Sequence, residues 1–132
     1  MQKYRHTRTT VSLINYHFVF CPRYRRKIFL INGLEDRFKA IVKEICERRS
    51  IEILAIECDK DHCHLFISCP PSMSPANIMG TIKTNTAKCL LQEFEELNKM
   101  QNLWTRSYFV STAGNVSSKI IQKYVEEQKT RY

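Results

Sequence analysis

Two histidines one residue apart, His62 and His64, are the side chains in this sequence best placed to act together. They lie in the apolar run 61–67 (DHCHLFI), whose composition favours a β-strand. Successive side chains of a strand point to opposite faces, so both imidazoles would point the same way, with Cβ atoms roughly 6–7 Å apart, and Cys63 the other way. Two imidazoles on one strand face can bind one metal ion while the opposite face enters the core.

The metal site that these histidines predict is incomplete, because protein metal sites usually have a third protein ligand. A helix predicted over about 117–128 carries Tyr124 and Gln128 at the i, i+4 spacing, which places both on one helical face. Gln128 could give an amide oxygen to the metal while Tyr124 presents its phenol beside it. A metal that polarises a phosphoryl oxygen next to a phenolic nucleophile suits phosphodiester transfer. The sequence identifies no general base for the phenol.

Each of these patterns also has a purely structural interpretation. The H-x-H pattern can be incidental, and Tyr124 can be an ordinary residue of an amphipathic helix. His17, on the first long strand, is interpreted as a packed or hydrogen-bonded histidine rather than as a ligand. A structural zinc site is a further alternative, and it would need a fourth ligand, for which Cys58 and His17 are the candidates.

The bulk composition bounds the class of protein. The chain has 132 residues, 43% of them hydrophobic and 26% charged, which predicts a single globular domain over residues 1–132. No apolar run approaches the roughly 18–20 residues that span a bilayer, and the polar, basic start is unlike a signal peptide, so we expect a cytoplasmic protein. None of the six cysteines forms a C-x-x-C pair, and we interpret them as reduced, buried side chains.

The positive charge is concentrated near the N-terminus. The net charge is +8, and residues 1–27 contain seven basic and no acidic side chains, which leaves 14 of the 21 basic residues against all 13 acidic ones. The seven cations are Lys3, Arg5, Arg8, Arg23, Arg25, Arg26 and Lys27. A one-sided basic block favours a polyanion partner, nucleic acid before a membrane surface. Tyr4, Tyr16 and Tyr24 lie among these cations and could stack on bases.

The spacing of apolar residues predicts a β-α-β-β-α-β order followed by one more helix. The predicted elements are a strand over 11–21, a helix over 34–49, a hairpin of strands over 51–58 and 62–69, a helix that begins at Pro75 with Ser74 as its N-cap, a strand over 108–113 and a helix over 117–128. This is an α+β, ferredoxin-like antiparallel sheet with a C-terminal helix. Two helices would cover one face of the sheet, and the face that presents His62 and His64 would be open. Trp104 is interpreted as an anchor for the loop before the last strand.

The chain resembles the small single-tyrosine transposases of the HUH class (His, hydrophobic, His), in the insertion-sequence 200/605 group, which moves as single-stranded DNA. The resemblance covers nearly the whole chain, and its motifs follow the family's order. The matching segments are 16–20 (YHFVF), 23–26 (RYRR), 61–65 (DHCHL), 82–83 (IK), 103–104 (LW), 108–117 (YFVSTAGNVS) and 124–128 (YVEEQ). One departure is Cys63, which stands where the family usually has an aliphatic residue.

This resemblance implies an activity and a set of site residues. His62, His64 and Gln128 would bind Mg²⁺ or Mn²⁺, and Tyr124 would be the nucleophile that leaves a 5′-phosphotyrosine and a free 3′-hydroxyl. The substrates would be hairpin-bearing DNA ends. The protein would be a homodimer whose active sites can join the HUH strand of one subunit to the tyrosine helix of the other. The expected DNA-binding residues are Arg8, Arg23, Tyr24, Arg25, Arg26 and Lys83.

Two alternatives to a transposase stay open at this point. An enzyme of the same chemistry could do another job, as a host-adapted relative acting on repeated hairpins or as a replication-initiator-type nickase. A non-catalytic nucleic-acid-binding module could also use the ferredoxin-like plan, as RNA-recognition domains do. The sequence lacks the K/R-G-F/Y-G/A-F-V run of such domains, and a module of this kind would leave H-x-H and the Tyr124–Gln128 pair unexplained.

Overall fold

The computed structural model describes residues 2–113 of the chain. This part contains six strands and two α-helices. In chain order they are β1 (Arg5–His6), β2 (Val11–Ser12), β3 (Asn15–Phe20), α1 (Leu34–Arg48), β4 (Glu52–Asp59), β5 (His62–Ser68), α2 (Pro75–Glu93) and β6 (Phe109–Thr112). Short 3₁₀ turns lie at Arg23–Arg25, Ile28–Leu30 and Glu95–Leu97. The predicted C-terminal helix, with Tyr124 and Gln128, lies outside the described residues.

The main sheet has the strand order β4-β5-β3-β6, and every neighbouring pair in it is antiparallel. Helix α1 connects β3 to β4, and helix α2 follows β5 and precedes β6. The predicted ferredoxin-like β-α-β-β-α-β plan is therefore confirmed. Strands β3 and β5 are central, so a side chain on either of them has strand neighbours on both sides.

The strand predicted over 11–21 is divided in the structure. Its first two residues form β2, which pairs with β1 in a separate two-stranded hairpin. The amide of Thr7 donates to the carbonyl of Thr10 at 2.8 Å and closes the turn of that hairpin. The break arises from pairing with β1. It could not be predicted from local composition, because the run contains no Gly or Pro. The prediction of a central strand holds for Asn15–Phe20.

Both helices begin where the sequence predicts. The Ser74 hydroxyl accepts a hydrogen bond from the amide of Asn77 at 3.1 Å, and Pro75 occupies the first helical position of α2. Helix α1 begins after Gly33, whose φ of 81° is a left-handed conformation that glycine adopts without strain. Within residues 2–113, neither helix has an apolar stretch that could cross a bilayer.

The main core lies between the sheet and the two helices. Cys63, Leu65 and Ile67 of β5 are fully buried in it. Trp104 is 6% exposed, and its indole nitrogen donates to the Thr86 hydroxyl of α2 at 3.0 Å. The interpretation of this tryptophan as an anchor is confirmed, because it fixes the segment before β6 against the second helix. All six cysteines lie within the described residues as free thiols. Four of them are buried as predicted, whereas Cys21 and Cys89 are half-buried.

The opposite face of the sheet is covered at its centre, so the prediction of an open face is wrong. All seven residues of β5 are buried, His62 and His64 among them. The ring of Phe66 packs on this face with aliphatic side chains, Leu54, Ala55 and Ala113. Phe66 shares the histidine face because it lies two residues beyond His64. It is 4% exposed, so this face is buried at three alternate positions of β5.

Candidate active site

His62 and His64 lie on one face of β5, as strand alternation predicts. The β4–β5 hairpin turns at Lys60 and Asp61, directly before the first histidine. The two imidazole centroids are 5.1 Å apart, with ring planes at 76°. The histidines are 2% and 0% exposed. Cys63 points to the opposite face, into the core. Because β5 is hydrogen-bonded to a strand on each side, its backbone fixes the spacing of the two rings.

Asp61 and Arg25 orient His62. Asp61 Oδ1 lies 2.9 Å from His62 Nδ1, and the Arg25 guanidinium binds the same carboxylate at 3.3 Å. Burial opposes ionisation of Asp61, but hydrogen bonds from His62 and Arg25 outweigh it and lower the pKa of the carboxyl. An ionised carboxylate only accepts hydrogen bonds, so the proton between them lies on His62 Nδ1, and the lone pair of a neutral ring lies on Nε2.

His17 orients His64. Nε2 of His17 lies 3.1 Å from Nδ1 of His64. The His17 ring is 2% exposed and stacks on Phe66, with the centroids 4.0 Å apart and 3° between the planes. Burial lowers the pKa of His17 to about 4, so this ring is neutral at neutral pH. The interpretation of His17 as a packed, hydrogen-bonded histidine is confirmed.

The donor atoms of His62 and His64 fit one metal ion. Both Nδ1 atoms engage neighbouring side chains, so Nε2 is the nitrogen through which each ring would bind a metal. Two imidazoles that share one ion through bonds of about 2.1 Å have centroids roughly 5 Å apart, as these rings do. Within residues 2–113, no three His, Cys, Asp or Glu side chains converge into a metal-binding group. The predicted third ligand, Gln128, lies outside those residues.

The positions of Cys58 and His17 argue against a structural zinc site. Cys58 pairs with Cys63 across the hairpin and shares its core-facing side of the sheet. His17 contacts Nδ1 of His64, whereas a metal would bind the Nε2 atom of that ring. Neither candidate for a fourth ligand therefore completes a tetrahedral site with the two histidines.

A cavity of about 340 Å³ opens beside His62. Arg25 contributes a cation to its wall, and Tyr108 and Phe109 contribute aromatic rings. Phe109, on the edge strand β6, is 47% exposed. Arginine binds phosphate oxygens and exposed aromatic rings stack on bases, so this lining suits a stretch of nucleic acid that passes the histidines.

The basic turn Arg23–Arg25 has a left-handed backbone. Tyr24 and Arg25 have φ values of 60° and 50°, which residues with side chains seldom adopt. The amide of Arg23 donates to the carbonyl of Leu103 at 2.8 Å and ties the turn to the segment before β6. Tyr24 is 77% exposed, with the Arg23 guanidinium 5.6 Å from its ring centroid. The turn thus presents an exposed ring flanked by cations, a surface on which a base can stack beside bound phosphate.

The other predicted DNA-binding residues lie in different places. One surface cavity, of about 250 Å³, is lined by Lys99 and by three of the predicted residues, Arg23, Tyr24 and Arg26. Arg25 lies elsewhere, paired with Asp61 and lining the cavity beside His62 described above. Arg8 is exposed in the turn between β1 and β2. These predicted DNA-binding residues therefore lie on separate parts of the surface that residues 2–113 form.

Lys83, a further predicted DNA contact, holds the segment before β6. Its ammonium group donates to the carbonyl oxygens of Thr105 at 2.7 Å and Ser107 at 3.0 Å, and it lies 5.3 Å from the ring centroid of Tyr108. Burial lowers the pKa of this ammonium group. The lysine therefore supports one wall of the cavity beside His62, and its contact with DNA stays a prediction.

Two acidic residues of the site were assigned no role from the sequence. Asp61 precedes His62 and orients it. Glu57 pairs with His64 across the hairpin and shares its face. A two-residue turn at 60–61 is enough to predict this register, because it pairs residue 59 with 62 and therefore 57 with 64. Only the length of the turn is needed to place a carboxylate beside the second histidine.

Comparison with known sequences identifies the family. The family model described as transposase IS200-like matches residues 10–128. The transposase for insertion sequence element IS200 of Salmonella typhimurium is 36% identical over 117 residues, which cover 86% of this chain and 75% of that protein. The ISDra2 transposase TnpA of Deinococcus radiodurans is 28% identical over 121 residues, which cover 89% and 86%. The chain belongs to the IS200-like transposases, and the predicted family is confirmed.

Solved structures share the fold. A crystal structure of a Deinococcus radiodurans R1 protein assigned as a transposase aligns with a TM-score of 0.76 at 27% identity, over 94% of this chain and 97% of that one. A REP-associated tyrosine transposase bound to a REP hairpin aligns with a TM-score of 0.62 at 16% identity, over 95% and 68%. The second likeness supports the fold alone. With the family assignment, the first supports a ferredoxin-like DNA transposase.

Proposed function

We propose that the protein is a metal-dependent single-stranded DNA transposase that cleaves and rejoins strands at hairpin-bearing element ends. The observation that carries this proposal is the arrangement of His62 and His64, two buried imidazoles on one strand face, each engaged at Nδ1 by a neighbouring side chain. Mg²⁺ or Mn²⁺ is the proposed ion, with Gln128 as the third ligand. When bound, the ion would polarise a phosphoryl oxygen and stabilise charge that develops on it.

Tyr124 is the proposed nucleophile. Its phenolic oxygen attacks the scissile phosphorus, a bond between that oxygen and phosphorus forms, and the bond from phosphorus to the 3′ oxygen breaks. The phenol releases its proton to solvent, and the leaving 3′ oxygen takes one up as a hydroxyl. The resulting 5′-phosphotyrosine keeps the energy of the phosphodiester. A 3′-hydroxyl can therefore attack it in the reverse sense and rejoin a strand without ATP.

The proposed substrate is single-stranded DNA with a hairpin near each end. The cavity beside His62 offers Arg25 to a phosphate and Phe109 to a base. The basic turn offers a second surface, with Tyr24 exposed between cations. A relative of the same fold, the REP-associated tyrosine transposase, was solved bound to a REP hairpin. The residues proposed to contact DNA are Arg8, Arg23, Tyr24, Arg25, Arg26 and Lys83.

A covalent adduct tests the nucleophile. Hairpin-bearing single-stranded oligonucleotides are incubated with the protein and Mn²⁺ and run on a denaturing gel. We expect a protein–DNA adduct that is absent with EDTA and absent in Tyr124→Phe, while Tyr132→Phe, a matched change in the same C-terminal segment, keeps it. An adduct that persists in Tyr124→Phe would overturn the assignment. Adduct formation without joining of a second strand would favour a nickase, and DNA binding with no adduct in the wild type would favour a non-catalytic module.

We also propose a homodimer whose active sites combine His62 and His64 of one subunit with the partner's Tyr124. Mixing two inactive variants tests this arrangement. Dimers of His64→Ala with Tyr124→Phe contain one complete site only if the tyrosine acts on the other subunit's histidines. Recovery of adduct in the mixture is the expected result, and a mixture as inactive as either variant alone, with dimer exchange verified, would place both parts in one subunit.

A further inference from the structure

We propose that His17 is a positioning residue that selects the tautomer and the ring orientation of His64, so that Nε2 of His64 faces the metal. This inference rests on the metal site of the proposed function, but not on the tyrosine chemistry. The observation behind it is the contact of 3.1 Å between His17 Nε2 and His64 Nδ1. His17 lies on a strand some 47 residues earlier in the chain, and nothing in the H-x-H pattern points to it.

The His17 ring is fixed on its own account. It lies directly across from Phe66 in the β3–β5 pair and stacks on that ring at 4.0 Å. Phe109 of β6, on the other side of β3, approaches it edge-on with the centroids 5.7 Å apart. Aromatic neighbours from both flanking strands thus restrict rotation of the imidazole. Its Nε2 atom is presented to His64 in one direction.

The bond between the two histidines can run in two directions, and only one of them suits a metal ligand. If His64 donates from Nδ1, its neutral ring has a lone pair on Nε2, which can bind a metal. If His17 donates instead, Nδ1 of His64 is the acceptor and its proton lies on Nε2, where it blocks coordination. A His17 ring that carries its own proton on Nδ1 accepts at Nε2 and selects the first arrangement.

A purely packing role for His17 makes a different prediction, and two substitutions separate the roles. His17→Phe keeps an aromatic ring against Phe66 but has no acceptor atom. His17→Gln loses the ring and brings an amide oxygen close to the position of Nε2. If packing alone matters, the phenylalanine variant should resemble the wild type. If the acceptor matters, the glutamine variant should.

The test combines NMR of the metal-free full chain with Mn²⁺ titration. Long-range ¹H–¹⁵N correlation spectra report which nitrogen of His64 carries the proton. We expect the Nδ1 proton in the wild type and in His17→Gln, and a mixture of both tautomers in His17→Phe. By calorimetry, the Mn²⁺ affinity of His17→Phe should be about 10- to 100-fold lower than that of the wild type. The affinity of His17→Gln should stay within about 3-fold of the wild-type value. Ser111→Ala, at the β6 position paired with His17, is the control that leaves both measurements unchanged.

Two results would overturn the proposal. One is a wild-type His64 that carries its proton on Nε2, a measurement that needs no variant and stands even if His17→Phe fails to fold. The other is a folded His17→Phe with wild-type tautomer and Mn²⁺ affinity. A wild-type chain that shows the Nδ1 tautomer but binds no Mn²⁺ would instead contradict the metal dependence of the proposed function, and the two failures are therefore distinguishable.

Discussion

The two histidines of β5 are held by neighbours of opposite character. His62 is bound by a charged, partly solvated pair, in which the side chains of Asp61 and Arg25 are 14% and 47% exposed. His64 is bound by a neutral ring, His17, that is 2% exposed and stacked on Phe66. The same task, to present Nε2 on one face of a strand, is thus carried out by electrostatics at the edge of the site and by packing at its centre.

The contrast has a consequence for how each ligand responds to its surroundings. A carboxylate that accepts from Nδ1 acts on the ring through its charge, and that effect depends on salt and pH. A neutral imidazole lacks that charge, and its position is held by apolar contacts that salt does not screen. We therefore expect His62 to be the ligand that solution conditions tune, and His64 to be the one that the fold fixes.

The largest expected effect comes from removing either ligand. His62→Ala and His64→Ala should each lower Mn²⁺ affinity by more than about 100-fold, beyond the loss expected from a partner of a ligand. Each variant loses the hydrogen bond of one ligand, to Asp61 or to His17, but the two should differ in stability. In His64→Ala a buried ring nitrogen of His17 loses its bond at a cost of about 1–3 kcal/mol, whereas in His62→Ala the Asp61 carboxylate keeps its pair with Arg25. Calorimetry and thermal unfolding measure both quantities. His6→Ala, which changes an exposed histidine on β1, is the matched control. Undiminished Mn²⁺ affinity in His62→Ala or His64→Ala would contradict the proposal that both histidines bind one ion.

The second prediction uses pH to isolate the buried side of the comparison. The pKa of His17 falls from 6.5 to about 4 on folding, so the unfolded chain takes up a proton first as the pH drops. Its contribution to the stability of the metal-free protein should be complete above pH 6.5 and be lost as the pH falls to 4. The full shift corresponds to roughly 3 kcal/mol.

Urea unfolding of the metal-free wild type and of His17→Gln over this pH range measures that contribution. The difference in unfolding free energy between the two should shrink from neutral pH towards pH 4. Since both chains share every other titrating group, a difference that stays constant with pH would show that burial does not keep His17 neutral.

The third prediction concerns the charged side. Asp61→Asn keeps an oxygen that can accept from His62 Nδ1 but removes the negative charge. We expect Mn²⁺ affinity to fall about 10-fold, less than the loss of a ligand. Asp36→Asn, an equal change of charge at the start of α1, which packs on the other face of the sheet, should leave the affinity unchanged. Equal losses in both variants would mean that net charge, and not the contact with His62, is responsible.

The smallest effect is expected at Arg25, one contact further from the ligand. Its exposed pair with Asp61 is of the kind that contributes about 0–1 kcal/mol, so Arg25→Gln should lower Mn²⁺ affinity at most about 5-fold at low salt and not at all in high salt. Arg48→Gln, which disrupts an exposed pair with Glu44 on α1, is the matched control. A loss that persists in high salt would assign Arg25 more than an electrostatic role.

Asp61 can be located from the sequence, because it adjoins His62. The position of Glu57 across from His64 depends on a turn of two residues, whereas the predicted strands 51–58 and 62–69 leave a turn of three. His17 could be recognised as packed but not as the partner of His64, because that contact depends on β3 lying beside β5. The pairing of strands that are distant in sequence is set by the whole fold. The same reason explains the missed break in the run 11–21, where β2 pairs with β1.

Strand β5 is hydrogen-bonded to β4 and β3 along its length and buried at all seven positions. Amide protons of such a strand exchange with solvent only when a large part of the domain opens. Hydrogen exchange at His62 and His64 should therefore be among the slowest in the protein, with or without a divalent ion. The distance between the two chelating rings is then maintained by the free energy of folding, and an arriving ion meets its first two ligands already in place.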